Sequence, residues 1–214
     1  MEPIDIVRAG YDALGPRFGA WVEHNPSAVR ARFLGEVLAP VPSGTDVLEL
    51  GCGPGTAAPA LSQGRRYTGV DLSEAQLGIA RRHAPGITFV RGDLISISFD
   101  DASFDAVVAF YVFNHVPRAA HGRTFTRLHR WLRPGGRLML SLGAGATDDE
   151  VQEDWLGVPM FFAGFDRATN ERHLADAGFE LELSEERTEI EEGEGEVTFH
   201  WVIARKPERN GFSP

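Results

Sequence analysis

The residues best suited to chemistry in this sequence are three acids that recur beside glycines. Glu49 precedes the segment Gly51-Cys52-Gly53-Pro54-Gly55, and Asp71 and then Asp93 each follow about twenty residues further on. Carboxylates accept hydrogen bonds from hydroxyl and amino groups, and glycines let a ligand approach the main chain without a Cβ in the way. The pattern fits a ligand that has an amino acid end, a ribose and an adenine.

The spacing of the glycines separates two classes of adenine-containing ligand. A dinucleotide-binding turn reads Gly-x-Gly-x-x-Gly, which places its third glycine at position 56, where this sequence has Thr56. Asp71 fits both classes, but the dinucleotide motif makes no demand for Asp93. A catalytic Tyr-x-x-x-Lys pair is also excluded, because Lys206 is the only lysine. The sequence therefore favours an adenosyl ligand over NAD.

Short strands that alternate with helices would bring these residues together. The apolar runs predict strands at residues 46–50, 67–70, 87–90, 105–112 and 137–142, and helices at 56–62, 74–82 and 119–132. Ser73 is suited to cap the second of these helices, with Gln76 completing a capping box. Asp166 is suited to cap a last helix, and two alternating segments, 179–190 and 197–204, predict a hairpin. Crossover helices imply a mostly parallel α/β sheet with ligands at the carboxyl ends of its strands.

Five blocks of this sequence resemble the class I S-adenosylmethionine-dependent methyltransferases in the order that the family has them. They are residues 48–55 (LELGCGPG), 69–73, 92–93, 104–107 and 132–136, and the resemblance covers about residues 45–205. It implies a Rossmann-like, seven-stranded, mostly parallel sheet with a C-terminal antiparallel hairpin and helices on both faces. It also implies S-adenosyl-L-methionine as cofactor and methyl transfer to an O, N or C nucleophile of a small molecule, with S-adenosyl-L-homocysteine as the product.

The same resemblance implies which residues bind the cofactor. The glycines would surround its methionine part, Asp71 would hold the ribose hydroxyls, and Asp93 would face the adenine beside the Leu94 backbone. Phe110 would lie near the sulfonium, and Tyr11 would close over the methionine carboxylate. The full predicted set is Tyr11, Glu49, Gly51, Cys52, Gly53, Gly55, Asp71, Leu72, Asp93, Leu94, Phe110 and His115, with Cys52 a small packing residue rather than a nucleophile.

The acceptor side is predicted from the segment after strand four and from a later aromatic stretch. Tyr111, Asn114 and His115 are the catalytic candidates, because the methyl group should point there and imidazole titrates near neutral pH. A loop histidine satisfied by backbone hydrogen bonds is the alternative for His115. The substrate-pocket candidates are Trp155, Met160, Phe161 and Phe162, in an irregular segment, 148–165, with cover for the core as the alternative role. Within it, residues 154–161 resemble a segment found in a bacterial subset of the family.

Several polar groups have a structural interpretation instead. The acids at 148–154 favour a solvated helix start, with a metal or cationic-substrate site as the lesser alternative, and no metal is expected. The glutamates at 185–196 are typical of a solvated hairpin edge. His200 and Trp201 are expected to pack within the sheet.

Composition bounds the organisation and the partners. The chain of 214 residues is expected to form one domain: a helical lid (1–44), a cofactor-binding core (45–143), a substrate-pocket insertion (144–166), and a final helix and hairpin (167–206). A net charge of −10 argues against nucleic acid as a partner. No apolar run approaches the roughly 20 residues of a membrane span and no signal peptide is evident, which favours a cytoplasmic location. We expect a monomer or homodimer that takes a small-molecule acceptor. A tRNA or protein methyltransferase and a non-catalytic cofactor-binding regulator are the alternatives.

Overall fold

The computed structural model describes residues 1–191, 193 and 195–208. Its helices are α1 (Pro3–Leu14), α2 (Pro16–His24), α3 (Ala28–Leu38), α4 (Ala58–Ser62), α5 (Glu74–His83), α6 (Arg118–Trp131) and α7 (Arg167–Asp176). Its strands are β1 (Asp46–Leu50), β2 (Arg66–Asp71), β3 (Thr88–Arg91), β4 (Phe104–Ala109), β5 (Leu132–Gly143), β6 (Thr147–Trp155), β7 (Val158–Gly164), β8 (Glu180–Glu191) and β9 (Gly195–Arg205). A 3₁₀ turn covers Phe113–His115.

Seven of these strands form one sheet in the order β3-β2-β1-β4-β5-β9-β8. Strands β1 to β5 pair in parallel, and β9 pairs antiparallel with both β5 and β8. This confirms the predicted Rossmann-like fold with its C-terminal hairpin. The strand order reverses between β1 and β4, so the two strands that flank this switch point end beside each other, where such sheets bind ligands.

Helices cover both faces of the sheet because its central strands are buried on both sides. Along β1, Leu48 and Leu50 join the core cluster that contains Phe125 of α6, whereas Val47 joins the cluster that contains Phe33 of α3. Side chains alternate between faces along a strand, so a run of apolar residues serves two cores at once.

Strand β4 ends earlier than the sequence predicts. It stops at Ala109 rather than at residue 112, because Tyr111 takes a left-handed backbone conformation with φ of 56°. The Tyr111 N–H donates to the side-chain hydroxyl of Ser141 on β5, at 2.6 Å, instead of to a main-chain carbonyl of that strand. Phe110 and Tyr111 therefore lie beyond the carboxyl end of β4.

The segment after β5 is a β-hairpin, and the prediction of an irregular stretch with a solvated helix start was wrong. Strands β6 and β7 pair antiparallel, and Trp155 pairs with Val158 across a turn made by Leu156 and Gly157. Both turn residues have positive φ, 50° and 85°, which is the geometry of a two-residue type I′ turn. The acids of β6 are exposed on a strand, not on a helix.

The helix caps agree with the sequence in part. The Ser73 hydroxyl accepts the Gln76 N–H, and the Asp166 carboxylate accepts the Thr169 N–H, as predicted. The capping box was wrong, because the Gln76 amide donates to the carbonyls of Tyr11 and Gly15 and so fastens the end of α1 to α5.

The remaining structural predictions concern the C-terminal hairpin and the membrane. His200 and Trp201 are buried in the sheet. Of the glutamates predicted at the hairpin edge, Glu192 and Glu194 lie outside the described residues. In the described part of the chain, no helix has both the length and the apolar character needed to cross a bilayer. The four-part division of the chain stays a prediction.

Candidate active site

The site begins where β1 ends, at Gly51 and Gly53. Gly51 has a φ of 67°, and a Cβ on it would lie 2.7 Å from the side chain of Val112, so only glycine fits between the ends of β1 and β4. Gly53 also has positive φ, but a Cβ there would meet nothing nearer than the Phe18 ring, 3.8 Å away. The missing Cβ of Gly53 therefore leaves space beside the main chain that a ligand can use.

One cavity, here called the aspartate cavity, lies beyond the ends of β2 and β3. It has a volume of about 310 Å³, and Asp71, Leu72, Asp93 and Leu94 line it. The Asp71 carboxylate accepts the N–H groups of Gly53 (2.7 Å) and Ser73 (2.8 Å). Burial raises the pKa of Asp71 to about 6, against the lowering effect of these backbone hydrogen bonds.

Asp93 is placed by its own loop. Its Oδ1 accepts the Ile95 N–H at 2.8 Å, and its carbonyl accepts the N–H groups of Ser96 and Ile97. Leu94, next in the chain, is buried. This turn holds both residues at the end of β3, so two of the three predicted acids, Asp71 and Asp93, line the same cavity.

A second cavity, here called the aromatic cavity, has a volume of about 390 Å³. Its aromatic walls come from separate elements: Phe18 and Trp21 from α2, Trp155 and Phe162 from the β6–β7 hairpin, and Phe199 from β9. The residues that line both cavities are Tyr11, Phe18, Gly51, Gly53, Phe110, Tyr111 and His115. The two cavities thus meet at the switch point of the sheet.

Hydrogen bonds fix His115 at this junction. Its Nδ1 lies 2.8 Å from the Phe161 carbonyl, which can only accept, so Nδ1 carries the proton and Nε2 accepts the Tyr11 hydroxyl at 2.8 Å. Burial lowers the pKa of His115 to about 4, and burial likewise raises the pKa of Tyr11. Both groups are therefore neutral at physiological pH, and both ring nitrogens of His115 are occupied.

The other two catalytic candidates lie on the aromatic side. Tyr111 donates its hydroxyl to Glu189 at 3.2 Å, and burial raises its pKa. Asn114 lines the aromatic cavity, and its buried Oδ1 accepts no hydrogen bond from any described residue. All three catalytic candidates therefore line the aromatic cavity, and Tyr111 and His115 also line the aspartate cavity.

Glu49 lies in the aromatic cavity beside the glycine turn. Tyr67 donates a short hydrogen bond to it, and burial raises the pKa of Glu49 to about 7. Cys52 is buried next to this pair, and burial raises the pKa of its thiol, which keeps it a protonated packing residue. Arg30, on α3, is the one lysine or arginine among the described residues that line either cavity.

Three predicted site residues line neither cavity. Gly55 packs against α5, because a Cβ on it would lie 2.9 Å from the Ala80 Cβ. Met160 is fully buried against α1, where a Cβ on Gly10 would lie 2.7 Å from its Cε. Phe161 is buried in the same cluster and contributes its carbonyl to His115. In contrast, Trp155 and Phe162 do line the aromatic cavity.

No motif in the sequence marks four residues that the structure places in the aromatic cavity, namely Phe18, Trp21, Arg30 and Glu189. They lie far from every motif and reach the site through α2, α3 and β8. The amphipathic pattern of α2 indicates only that one face of that helix is covered, not by what. In the described chain, no group of three or more His, Cys, Asp or Glu could hold a metal ion.

Comparison with known proteins agrees with this geometry. Residues 47–136 match a family model described as a methyltransferase domain. A phthiotriol/phenolphthiotriol dimycocerosates methyltransferase of Mycobacterium ulcerans is 40% identical over 124 residues, 55% of this chain and 45% of that protein. A probable S-adenosylmethionine-dependent methyltransferase of Mycolicibacterium smegmatis is 33% identical over 141 residues, 65% of this chain and 54% of that protein. This chain thus spans about half the length of the curated relatives it matches.

A solved structure shares the fold. The S-adenosylmethionine-dependent methyltransferase of Methanosarcina mazei superposes with a TM-score of 0.69, at 19% identity, over 86% of this chain and 99% of that one. The residues that match the methyltransferase model, 47–136, contain the glycine turn, Asp71 and Asp93. Residues 47–136 thus match a methyltransferase domain, and the sheet has the fold of the class I S-adenosylmethionine-dependent methyltransferases, as the five sequence blocks predict.

Proposed function

We propose that this protein transfers a methyl group from S-adenosylmethionine to an O, N or C nucleophile of a small molecule. The aspartate cavity would hold the adenosyl part of the cofactor, and the aromatic cavity would hold the acceptor. One observation carries this proposal: the two cavities meet at Gly51, Gly53, Phe110 and His115, at the switch point of the sheet.

The residues present fit the cofactor. Asp71 is half-buried, and two backbone N–H groups fix its carboxylate, which suits it to accept ribose hydroxyls. Asp93 and Leu94 would flank the adenine. Gly53 leaves room for the methionine part, and Arg30 is the cation available for its carboxylate. Glu49 offers an acceptor for its amino group.

S-Adenosylmethionine, when bound, would supply an electrophilic methyl group on its sulfonium, and the thioether of S-adenosylhomocysteine would be the leaving group. The chain's own task is then alignment and exclusion of water, which can supply several kcal/mol without a dedicated base. The aromatic walls exclude water from the junction. Tyr11 and His115, fixed to each other, form its boundary on the α1 side.

His115 is suited to positioning more than to proton transfer. Its Nε2 already accepts from Tyr11, its Nδ1 donates to a carbonyl, and its pKa of about 4 keeps it neutral. An acceptor that needs a base, such as a phenol, would have to displace Tyr11. We therefore infer that His115 holds Tyr11 in place against the acceptor.

The apolar walls and the charge support a small molecule over a nucleic acid. A cavity whose described lining includes eight aromatic side chains buries the rings or chains of a small acceptor. Glu150 and Glu189 also line it and would repel a polyphosphate backbone, as would the net charge of −10. One curated relative is named a phthiotriol/phenolphthiotriol dimycocerosates methyltransferase, which is compatible with a small-molecule acceptor.

The experiment is calorimetric titration with S-adenosylhomocysteine, followed by detection of S-adenosylhomocysteine released from S-adenosylmethionine in the presence of candidate acceptors. We expect micromolar binding, and a loss of about tenfold or more for Arg30→Gln, because a charge-assisted hydrogen bond disappears. Arg32→Gln is the matched control, since Arg32 lies on the same helix but pairs with Glu36 and Glu185 on the surface. No binding to the folded wild-type protein would contradict the proposal.

A further inference from the structure

The aromatic cavity carries charge of one sign at its mouth. Glu150 of β6 and both Glu189 and Glu191 of β8 line it, beside Ile190, whose side chain is 81% exposed. Arg30 is the one lysine or arginine of the described lining. If Arg30 serves the methionine carboxylate, as proposed above, what remains for the acceptor is an aromatic chamber with carboxylates at its entrance.

The walls of this chamber suit a cation. Trp21 stacks on Phe18 with ring centroids 5.9 Å apart, and Trp155 stands edge-on to Trp21 at 6.5 Å. Aromatic faces attract ammonium and guanidinium groups through the negative potential above their rings, tryptophan most of all. An apolar neutral acceptor would be served by the rings alone and gains nothing from the carboxylates.

Glu189 is built into the cavity rather than left in solvent. It is partly buried, and Tyr111 donates its hydroxyl to Oε2 at 3.2 Å. Tyr111 is itself fixed, because its N–H donates to the Ser141 hydroxyl and its ring packs edge-on against Phe199 at 4.8 Å. This carboxylate is therefore held toward the chamber by residues that also form its walls.

A polar group farther in also lacks a partner. The Oδ1 of Asn114 is buried at the cavity wall and accepts no hydrogen bond from the described residues. A buried carbonyl oxygen without a donor is costly, and an N–H or O–H of a bound molecule would supply the missing one. The cavity thus offers a hydrogen-bond acceptor, the Oδ1 of Asn114, at its inner wall and negative charge at its mouth.

We propose that the methyl acceptor is a cationic small molecule, whose ammonium or guanidinium group binds at the mouth of the aromatic cavity between Glu189, Glu150 and the ring of Trp21. This inference rests on the proposed function and names its substrate class. The cationic group is held apart from the methylated atom, which lies at the junction with the aspartate cavity. The charge on the acceptor selects it, and the reaction itself is the methyl transfer described above.

The test uses three probes that share a 4-hydroxyphenyl ring with a two-carbon side chain but differ in the charge at its end. They are the cation tyramine, the neutral alcohol tyrosol and the anion 4-hydroxyphenylacetate. Each is titrated into protein saturated with S-adenosylhomocysteine. We expect tyramine to bind about tenfold or more tightly than tyrosol, and the anion least tightly. Glu189→Gln should reduce the preference for tyramine over tyrosol to about threefold or less.

Glu186→Gln is the matched control. It makes the same change on the same strand, but Glu186 is exposed and does not line the cavity, so the preference should be unchanged. If tyramine binds no more tightly than tyrosol, or if neither binds, this inference is overturned. The proposed function stays intact in that case as long as S-adenosylhomocysteine binds. Failure of S-adenosylhomocysteine to bind overturns the proposed function itself. A preference retained in full by Glu189→Gln, with an unchanged melting temperature, also overturns the inference.

Discussion

The hydroxyl of Tyr11 donates to Nε2 of His115 at 2.8 Å, across 104 residues of chain. This bond joins α1 to the turn after β4 and lies where the two cavities meet. Because Nδ1 of His115 is committed to the Phe161 carbonyl, the bond also connects both partners to the β6–β7 hairpin. Three segments that are remote in sequence thus form one wall of the site.

Tyr11→Phe tests this wall. The ring still packs against Phe18, but the buried Nε2 of His115 loses its donor, which should lower the unfolding free energy by about 1–3 kcal/mol. If His115 acts by holding Tyr11, the kcat of Tyr11→Phe and that of His115→Gln should fall by similar factors, and the double variant should fall no further. Fully additive effects on kcat would show that the two residues act separately.

Asp71 predicts how cofactor affinity depends on pH. Its pKa of about 6 means that the carboxylate gains a proton as pH falls below that value, and a protonated acid accepts ribose hydroxyls poorly. Affinity for S-adenosylhomocysteine should fall about tenfold from pH 7 to pH 5. Asp71→Asn should bind weakly at every pH and lose this slope. Glu49 has a pKa of about 7 and could also titrate in this range, so Glu49→Gln is the control. This variant should retain the dependence of affinity on pH.

Gly53→Ala separates ligand space from backbone strain. Gly53 and Gly44 both have positive φ, 50° and 80°, so alanine should cost either site about 1–2 kcal/mol of stability. Nothing lies within 4 Å of a Cβ on Gly44, which lines neither of the two cavities, whereas Gly53 lines both. Only Gly53→Ala should weaken S-adenosylhomocysteine binding, by about tenfold or more. Equal binding by the two variants would show that the space beside Gly53 is not used.

Two neighbours on β7 should behave differently. Met160→Ala removes a fully buried side chain from the cluster under α1 and should lower the unfolding free energy by about 2–5 kcal/mol. The variant should keep its acceptor preference wherever it remains folded. Phe162→Leu alters the wall of the aromatic cavity and should change the KM for the acceptor more than the stability. The reverse pattern would restore Met160 to the substrate pocket.

His121 predicts a pH dependence of stability outside the site. Burial lowers its pKa to about 4, below its ordinary value of 6.5, so the unfolded chain binds a proton in this range that the folded chain rejects. The cost to folding stability of keeping His121 neutral is therefore absent above pH 6.5 and grows as pH falls toward 4. The unfolding free energy of wild type relative to His121→Asn should therefore rise by about 2 kcal/mol from pH 5 to pH 7. A constant difference would contradict a neutral, buried His121.

The sequence by itself determined the sheet and its cofactor edge. Strand and helix patterns are local, and the glycine turn, Asp71 and Asp93 each follow a strand directly, so the parallel arrangement brings them together wherever the loops go. The structure confirms the predicted seven-stranded sheet and its C-terminal hairpin. The early end of β4 was missed, because the left-handed Tyr111 depends on Ser141, thirty positions along the chain.

Only the tertiary structure decided the acceptor side. Met160, Phe161 and Phe162 are consecutive and equally apolar, yet the pairing of β6 with β7 and the close contact of Gly10 bury the first two and leave Phe162 facing the cavity. Arg30 and Glu189 reach that cavity from α3 and β8 with no motif to mark them. Local propensity sets which elements form, but the side of an element that meets a cavity depends on the neighbours that cover its other side, and those neighbours are distant in the chain.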